Sequence, residues 1–286
     1  MTKIKRLIPN LLTAGNLVGG ILAIIFSLTG RIDLAPWCIF ASAIFDFLDG
    51  FAARLLNVQN ELGKQLDSLA DMVTFGVAPG VIVMVMLGTW DVDLNTFVMP
   101  TPADIGDDFI STSYYISDVV VGPNIMKEQS SGFIWMNLFN PFWAFLIPVF
   151  ALFRLAKFNL DTRQISSFIG LPTPAMTLFF AVIPLLVLSG VDGEVQWQQS
   201  MVSILINPFF LVVSTIVMSI MMVVELPLFA LKFNGFKWKG NEIRFIFLTI
   251  CIGLFATLLF WSVPLIIILY IILSVINNVI NKTNEI

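Results

Sequence analysis

DFLDGFAARLLNVQNELGKQLDSLAD, residues 46–71, is a knot of charge set between long apolar segments. Asp46, Asp49, Gly50, Ala53 and Arg54 recur at i, i+3, i+4, i+7 and i+8, the spacing that lines one face of a helix. Asp67 and Asp71 are spaced i, i+4 and share one face of a second helix that begins near Gly63. The stretch therefore reads as two helix ends, each presenting paired acids to a shared space.

Outward from it the chain is apolar. Of 286 residues, 58% are hydrophobic and 12% charged, about half the charge of a soluble domain, and the mean hydropathy is +0.92. The apolar runs reach roughly 18 residues or more, enough to cross a bilayer. The expected fold class is all-α: a polytopic membrane helix bundle, one domain over residues 1–286, with about eight transmembrane helices. The expected spans are 11–28, 34–48 (continuing as a helix through Arg54), 63–87, 141–156, 175–188, 201–224, 245–260 and 263–280, the last two parted by a tight turn at Trp261–Ser262. Gly15, Gly19 and Gly20 in the first span would allow close helix contact. Residues 1–8 read as a retained basic stub rather than a cleaved leader. Residues 88–140 are polar, acidic and rich in Pro, Gly, Ser and Thr, and read as an extramembrane insertion, with TSYYIS and DVVVG as strand-like pieces.

Charge orients this scheme. With eight spans and both termini cytoplasmic, every one of the 15 basic residues except Arg31 and Lys127 falls on the cytoplasmic side, as the positive-inside rule requires. The acidic stretch, FRLAKFN (153–159) and GLPTP (170–174) then lie at the cytoplasmic face, and the 88–140 insertion lies outside. The basic loop over 231–244 reads as a topogenic, headgroup-binding segment, and the composition points to no nucleic-acid partner.

Four aspartates converging on one membrane face repel one another unless something neutralises them. There is no histidine, so a metal would sit on oxygen ligands and a general base would be a carboxylate, lysine, tyrosine or cysteine. Cys38 and Cys251 fall inside apolar runs and suggest packing rather than a disulfide or metal site. Mg²⁺ commonly bridges carboxylates to phosphates. Gly50 and Gly63 would let a ligand approach the backbone, Ala53 keeps the face shallow, and Arg54 could pair with a phosphate oxygen. The residues alone thus point to a metal-dependent site for a diphosphate-bearing substrate. The plainer reading, solvated helix ends paired to Arg54 and Lys64, fits one acid better than four in two in-face pairs. An intramembrane prenyltransferase, or a transporter or channel, are the competing classes.

Asp46-x-x-Asp49-Gly50-x-x-Ala53-Arg54 followed after eight residues by Gly63-x-x-x-Asp67-x-x-x-Asp71 resembles the full signature of the CDP-alcohol phosphatidyltransferases. Ile8–Thr13, Phe153–Asn159 and Phe168–Ala175 further resemble the family's membrane-integral phosphatidylserine synthases. The likeness covers roughly residues 1–87 and 141–235. It implies transfer of a phosphatidyl group from CDP-diacylglycerol to L-serine with release of CMP; glycerol 3-phosphate or inositol phosphate is the alternative acceptor. It implies that Asp46, Asp49, Asp67 and Asp71 hold two divalent ions (Mg²⁺ or Mn²⁺, with Ca²⁺ a further candidate) and that Asp71 is the catalytic base. Gly50, Ala53, Arg54 and Gly63 would cradle the nucleotide and diphosphate, helped by Asn10 and Thr13. Arg154, Lys157 and Asn159 would bind the acceptor; the family's serine enzymes tend to carry arginine where Lys157 stands, so Arg154 is the stronger carboxylate partner. A homodimer in a bacterial inner membrane, with the site facing the cytoplasm, completes the expectation.

Overall fold

The computed structural model describes residues 2–88, 141–160, 167–191, 195–229, 238 and 241–284. The insertion at 89–140 with its strand-like pieces, Arg163, and Lys232, Lys237 and Lys239 of the basic loop lie outside the described residues. Among the described residues ten α-helices follow one another: α1 (Thr2–Leu28), α2 (Ala35–Leu55), α3 (Glu61–Asp71), α4 (Ala78–Gly88), α5 (Leu146–Leu160), α6 (Thr173–Val191), α7 (Gln196–Leu205), α8 (Pro208–Val223), α9 (Glu242–Leu258) and α10 (Ser262–Asn284). The all-α expectation needs one addition. Ser167–Ile169 (β1) pairs antiparallel with Pro227–Phe229 (β2), so two distant connectors form a short ribbon.

Local sequence sets several helix starts. Pro36 opens α2 and Pro208 opens α8, positions where the missing N–H costs nothing. Asn60 caps α3, its Oδ1 accepting from Gly63 N at 2.7 Å, and Asn207 caps α8 through Phe209 N at 2.9 Å. The expected third helix over 63–87 is observed as one continuous column, Glu61–Gly88, but it widens into a π-turn at Met72–Val77, directly after Asp71. Such turns are frequent at functional sites.

Among the described residues five helical stretches are long and apolar enough to cross a membrane: Leu7–Leu28, Glu61–Gly88, Pro141–Leu160, Thr173–Gly190 and Glu242–Asn278. α7 and α8, bent by 67° at their junction, make a sixth if taken as one span. That is fewer than the eight expected, and two regions account for the difference. The Glu242–Asn278 stretch is not one straight helix. On such a helix Phe247 and Tyr270 would lie about 35 Å apart, yet their ring centroids are 5.8 Å apart. The chain folds back at Leu259, which takes a positive φ of 48°, close to the turn expected at Trp261–Ser262. Phe229 of β2 packs on both rings, at 5.7 and 5.0 Å. α2 is not among the long apolar helices; Asp46 and Asp49 interrupt its apolar run.

The main core lies between α4, α5, α6 and α8, with Leu87, Ile147, Met176, Phe180 and Leu211 fully buried. α1 runs against α2 and the π-turn at very short range, and the three glycines make the contact, as expected. A Cβ on Gly15 would touch the Phe45 ring at 3.4 Å. One on Gly19 would fall onto Ser42 Oγ, and one on Gly20 onto Thr74 Oγ1 and 2.8 Å from Thr74 Cα. Because backbone closes the space at Gly20, Gly20→Ala is expected to destabilise the bundle by about 1–3 kcal/mol, as overpacking does. A melting temperature in detergent equal to that of the parent protein would contradict this.

Candidate active site

The acidic face of α2 meets that of α3 beside the N-terminal half of α1. Asn57, at a positive φ of 52°, turns the chain out of α2, and Val58 N donates back to Ala53 O at 3.0 Å. The Asn60 cap then starts α3 in the return direction. This turn lays Asp67 against the acids of α2. One carboxylate oxygen each from Asp46, Asp49 and Asp67 lie within 4.8 Å of one another. Asp46 also reaches hydrogen-bonding range of Asp71, one turn further along α3. The spacing-based expectation of two acid pairs facing a common space is therefore met in the geometry, with Asp71 joined to the trio through Asp46.

The neutral neighbours are few. Thr13 Oγ1 donates to Asp49 Oδ2 at 2.5 Å, and Asn16 Nδ2 donates to Asp71 Oδ1 at 3.0 Å. Asp49 is 5% exposed, and Asp67 Oδ1 is buried with no hydrogen-bond partner. A buried carboxylate oxygen without a donor is costly. Three convergent carboxylates plus such an orphaned oxygen make a donor set that fits a hard divalent cation.

The expected nucleotide residues gather around the same turn. A Cβ on Gly50 would meet only Arg54 Nη2, at 4.0 Å, so the backbone there is open to a ligand. Arg54 is exposed and its Nε donates to Gly50 O at 3.0 Å. A Cβ on Gly63 would lie 3.4 Å from Asn60 Oδ1 and 3.9 Å from Asn10 Oδ1, which puts Asn10 beside the start of α3. Thr13 turns to Asp49, and Ala53 is half-buried on the inner face of α2.

The three expected acceptor residues are divided. Arg154 on α5 is only 9% exposed. Its Nη1 donates to Thr173 Oγ1 at 3.2 Å, its guanidinium carbon lies 5.1 Å from the Phe158 ring centroid, and it is an electrostatic neighbour of Asp71. Lys157 is exposed and paired with Glu225 at 2.9 Å. Asn159 Nδ2 donates to Ser68 Oγ at 2.9 Å and its carbonyl accepts from Lys64 Nζ at 3.2 Å, a strut between α5 and α3. Gly170 places Thr173 for Arg154. Its φ of +76° and a would-be Cβ 2.5 Å from Met222 O admit no side chain, while Gly170 N and Leu171 N donate to Leu226 O and Met221 O. Sequence reasoning reaches Thr173 only as part of the GLPTP turn at 170–174, and it misses Asn16 and Asn60. The signal for Asn16 was its place three residues after Thr13, a polar side chain in an apolar span.

Comparison with known proteins agrees with this geometry. A family model described as CDP-alcohol phosphatidyltransferase matches residues 6–101. A Bacillus subtilis (strain 168) protein named CDP-diacylglycerol–serine O-phosphatidyltransferase is 30% identical over 235 residues, covering 82% of this chain and 94% of the relative. A Helicobacter pylori (strain J99) protein of the same name is 32% identical over 182 residues, covering 63% of this chain and 58% of the relative. The chain belongs to the CDP-alcohol phosphatidyltransferase family. It is an integral membrane transferase of phospholipid synthesis, and the prenyltransferase and transporter readings fall away.

Proposed function

We propose that this protein transfers the phosphatidyl group of CDP-diacylglycerol to the hydroxyl of L-serine. The observation that carries the acceptor assignment is the buried Arg154 guanidinium beside Asp71. A fixed, forked cation that is an electrostatic neighbour of the base suits an acceptor that brings its own carboxylate. The names of the relatives support the same acceptor.

In this reading Asp46, Asp49, Asp67 and Asp71 hold two divalent ions, Mg²⁺ or Mn²⁺. When bound, such ions neutralise the diphosphate and the charge that develops on its oxygens. Gly50, Ala53, Gly63 and Asn10 leave backbone and shallow surface for the nucleotide, and Arg54 swings from Gly50 O to a phosphate oxygen. Thr13 steadies Asp49. Arg154 orients the acceptor by its carboxylate, and Asp71 accepts the hydroxyl proton as the serine oxygen bonds to the β-phosphorus. The bond from that phosphorus to the bridging oxygen breaks, and CMP leaves with the electron pair. Lys157 and Asn159 serve this pocket from its rim, by holding Glu225 and α3. The excess of basic residues on one side supports a site facing the cytoplasm of a bacterial inner membrane, with both termini there, and the family likeness supports a homodimer.

The test is CMP release by the purified protein from CDP-diacylglycerol across a panel of acceptors. Release with L-serine well above that with glycerol 3-phosphate or inositol phosphate is expected; a reversed preference would reassign the acceptor within the same chemistry. Arg154→Ala is expected to raise KM for serine about 10–100-fold, the worth of a hydrogen bond to a charged group. KM for CDP-diacylglycerol should hold, and an equal rise in both constants would remove Arg154 from the acceptor pocket.

A further inference from the structure

Asn16 sits midway along α1 and is fully buried. An amide in an apolar helix is expensive to bury unless its hydrogen bonds are made. Here only the donor end is used. Nδ2 gives its hydrogen to Asp71 Oδ1 at 3.0 Å, while Oδ1 is buried without a partner. A leucine of nearly the same size would pack here without that cost, so the N–H toward Asp71 is what the residue supplies.

The main chain at the same position is clamped from both halves of the acidic site. Ser42 Oγ of α2 donates to Asn16 O at 3.1 Å, and Thr74 Oγ1 of the π-turn donates to it at 3.0 Å. The close approach at Gly19 and Gly20 makes both bonds possible. The amide is thereby fixed relative to α2, which carries Asp46 and Asp49, and to the column that carries Asp67 and Asp71. A carboxylate turns easily about its last torsion, which has broad rather than sharp minima. Among the described contacts, the Asn16 N–H is the neutral donor that holds it.

We propose that Asn16 is the positioning residue of Asp71: it locks Oδ1 and so presents Oδ2 to the acceptor hydroxyl. The inference rests on the reading of Asp71 as the group that takes the hydroxyl proton. It adds a residue that reaches the chemistry only through Asp71.

The experiment compares Asn16→Ala, Asn16→Leu and the near-isosteric Asn16→Asp, each alone and combined with Asp71→Asn, in purified protein supplied with CDP-diacylglycerol, Mn²⁺ and L-serine. The single variants are expected to lose about 10–100-fold in kcat, the usual cost of removing an orienting partner of a site residue. For Asn16→Ala and Asn16→Leu, KM for CDP-diacylglycerol, Mn²⁺ affinity by electron paramagnetic resonance, and melting temperature are expected to hold. In the Asp71→Asn background the same changes are expected to cost nothing more, because residues that act as a unit do not add. Three results overturn the proposal: wild-type kcat in Asn16→Leu, a fall in melting temperature or Mn²⁺ affinity that tracks the fall in kcat, or losses that multiply in the double variants. Wild-type kcat in Asp71→Asn alone would instead remove the base assignment, a separate failure that the same assay distinguishes.

Discussion

Asp71→Asn is expected to lower kcat for CMP release by about 10²–10⁴-fold, the range that a positioned general base contributes, while CDP-diacylglycerol still binds. The site offers few other bases. The chain has no histidine, and the carboxylates of Asp46, Asp49 and Asp67 converge on one another within 4.8 Å, where they are engaged as a cluster. Asp71 stands one turn along α3, reached by Asp46 on one side and by Asn16 on the other, with Arg154 as its electrostatic neighbour. It is the acid placed between the cluster and the cation that would hold the acceptor. Asparagine keeps the shape and removes the ability to take a proton. The measurement is single-turnover CMP release alongside equilibrium binding of CDP-diacylglycerol. Turnover at the wild-type rate would remove Asp71 as base. Loss of donor binding in proportion to loss of rate would make it chiefly a ligand-binding residue.

The acidic face was legible because its information is local. Asp46 through Arg54 lie on one helix, and Asp67 and Asp71 on the next, so helical spacing alone places each set on a face. The turn at Asn57 then brings the two faces together over a few residues. The column over Glu61–Gly88 and the close contact at Gly19 and Gly20 were legible for the same reason. What escaped depends on partners far apart in sequence. Lys157 meets Glu225 and Asn159 meets Ser68, and no spacing rule joins α5 to the connector after α8 or to α3. β1 and β2 are three residues each, too short for alternation to register, and they exist because Gly170 and Leu171 already tie that strand to the end of α8. The fold-back between α9 and α10, by contrast, was legible as the turn at Trp261–Ser262, and the Phe247 and Tyr270 rings on opposite arms meet across it. Asn16 is a lone polar side chain in an apolar span, and its role shows only once its neighbour Asp71 on α3 is known.

Removing divalent cations is expected to abolish CMP release completely, and adding Mg²⁺ or Mn²⁺ back to restore it. The reason lies in the charges of the chain itself. Two unit charges about 4 Å apart near a protein surface repel by about 4 kcal/mol, and Asp46, Asp49 and Asp67 present three such pairs within 4.8 Å. The compensation seen is small: the Thr13 hydroxyl and the Gly50 N–H on Asp49, and none on Asp67 Oδ1. Arg54 is turned to the carbonyl of Gly50, and Arg154 gives Nη1 to Thr173, so neither guanidinium cancels the trio. A bound cation therefore stabilises the folded protein as well as serving the reaction. By linkage, Mn²⁺ at 100 times its Kd is expected to add about 2.7 kcal/mol of stability, visible as a rise in melting temperature without any substrate present. Asp49→Asn and Asp67→Asn are expected to weaken Mn²⁺ binding more than Asp71→Asn does, since Asp71 lies outside the closest trio. A melting temperature indifferent to Mn²⁺, together with CMP release that survives chelation, would mean that the trio is held together by protons rather than by metal.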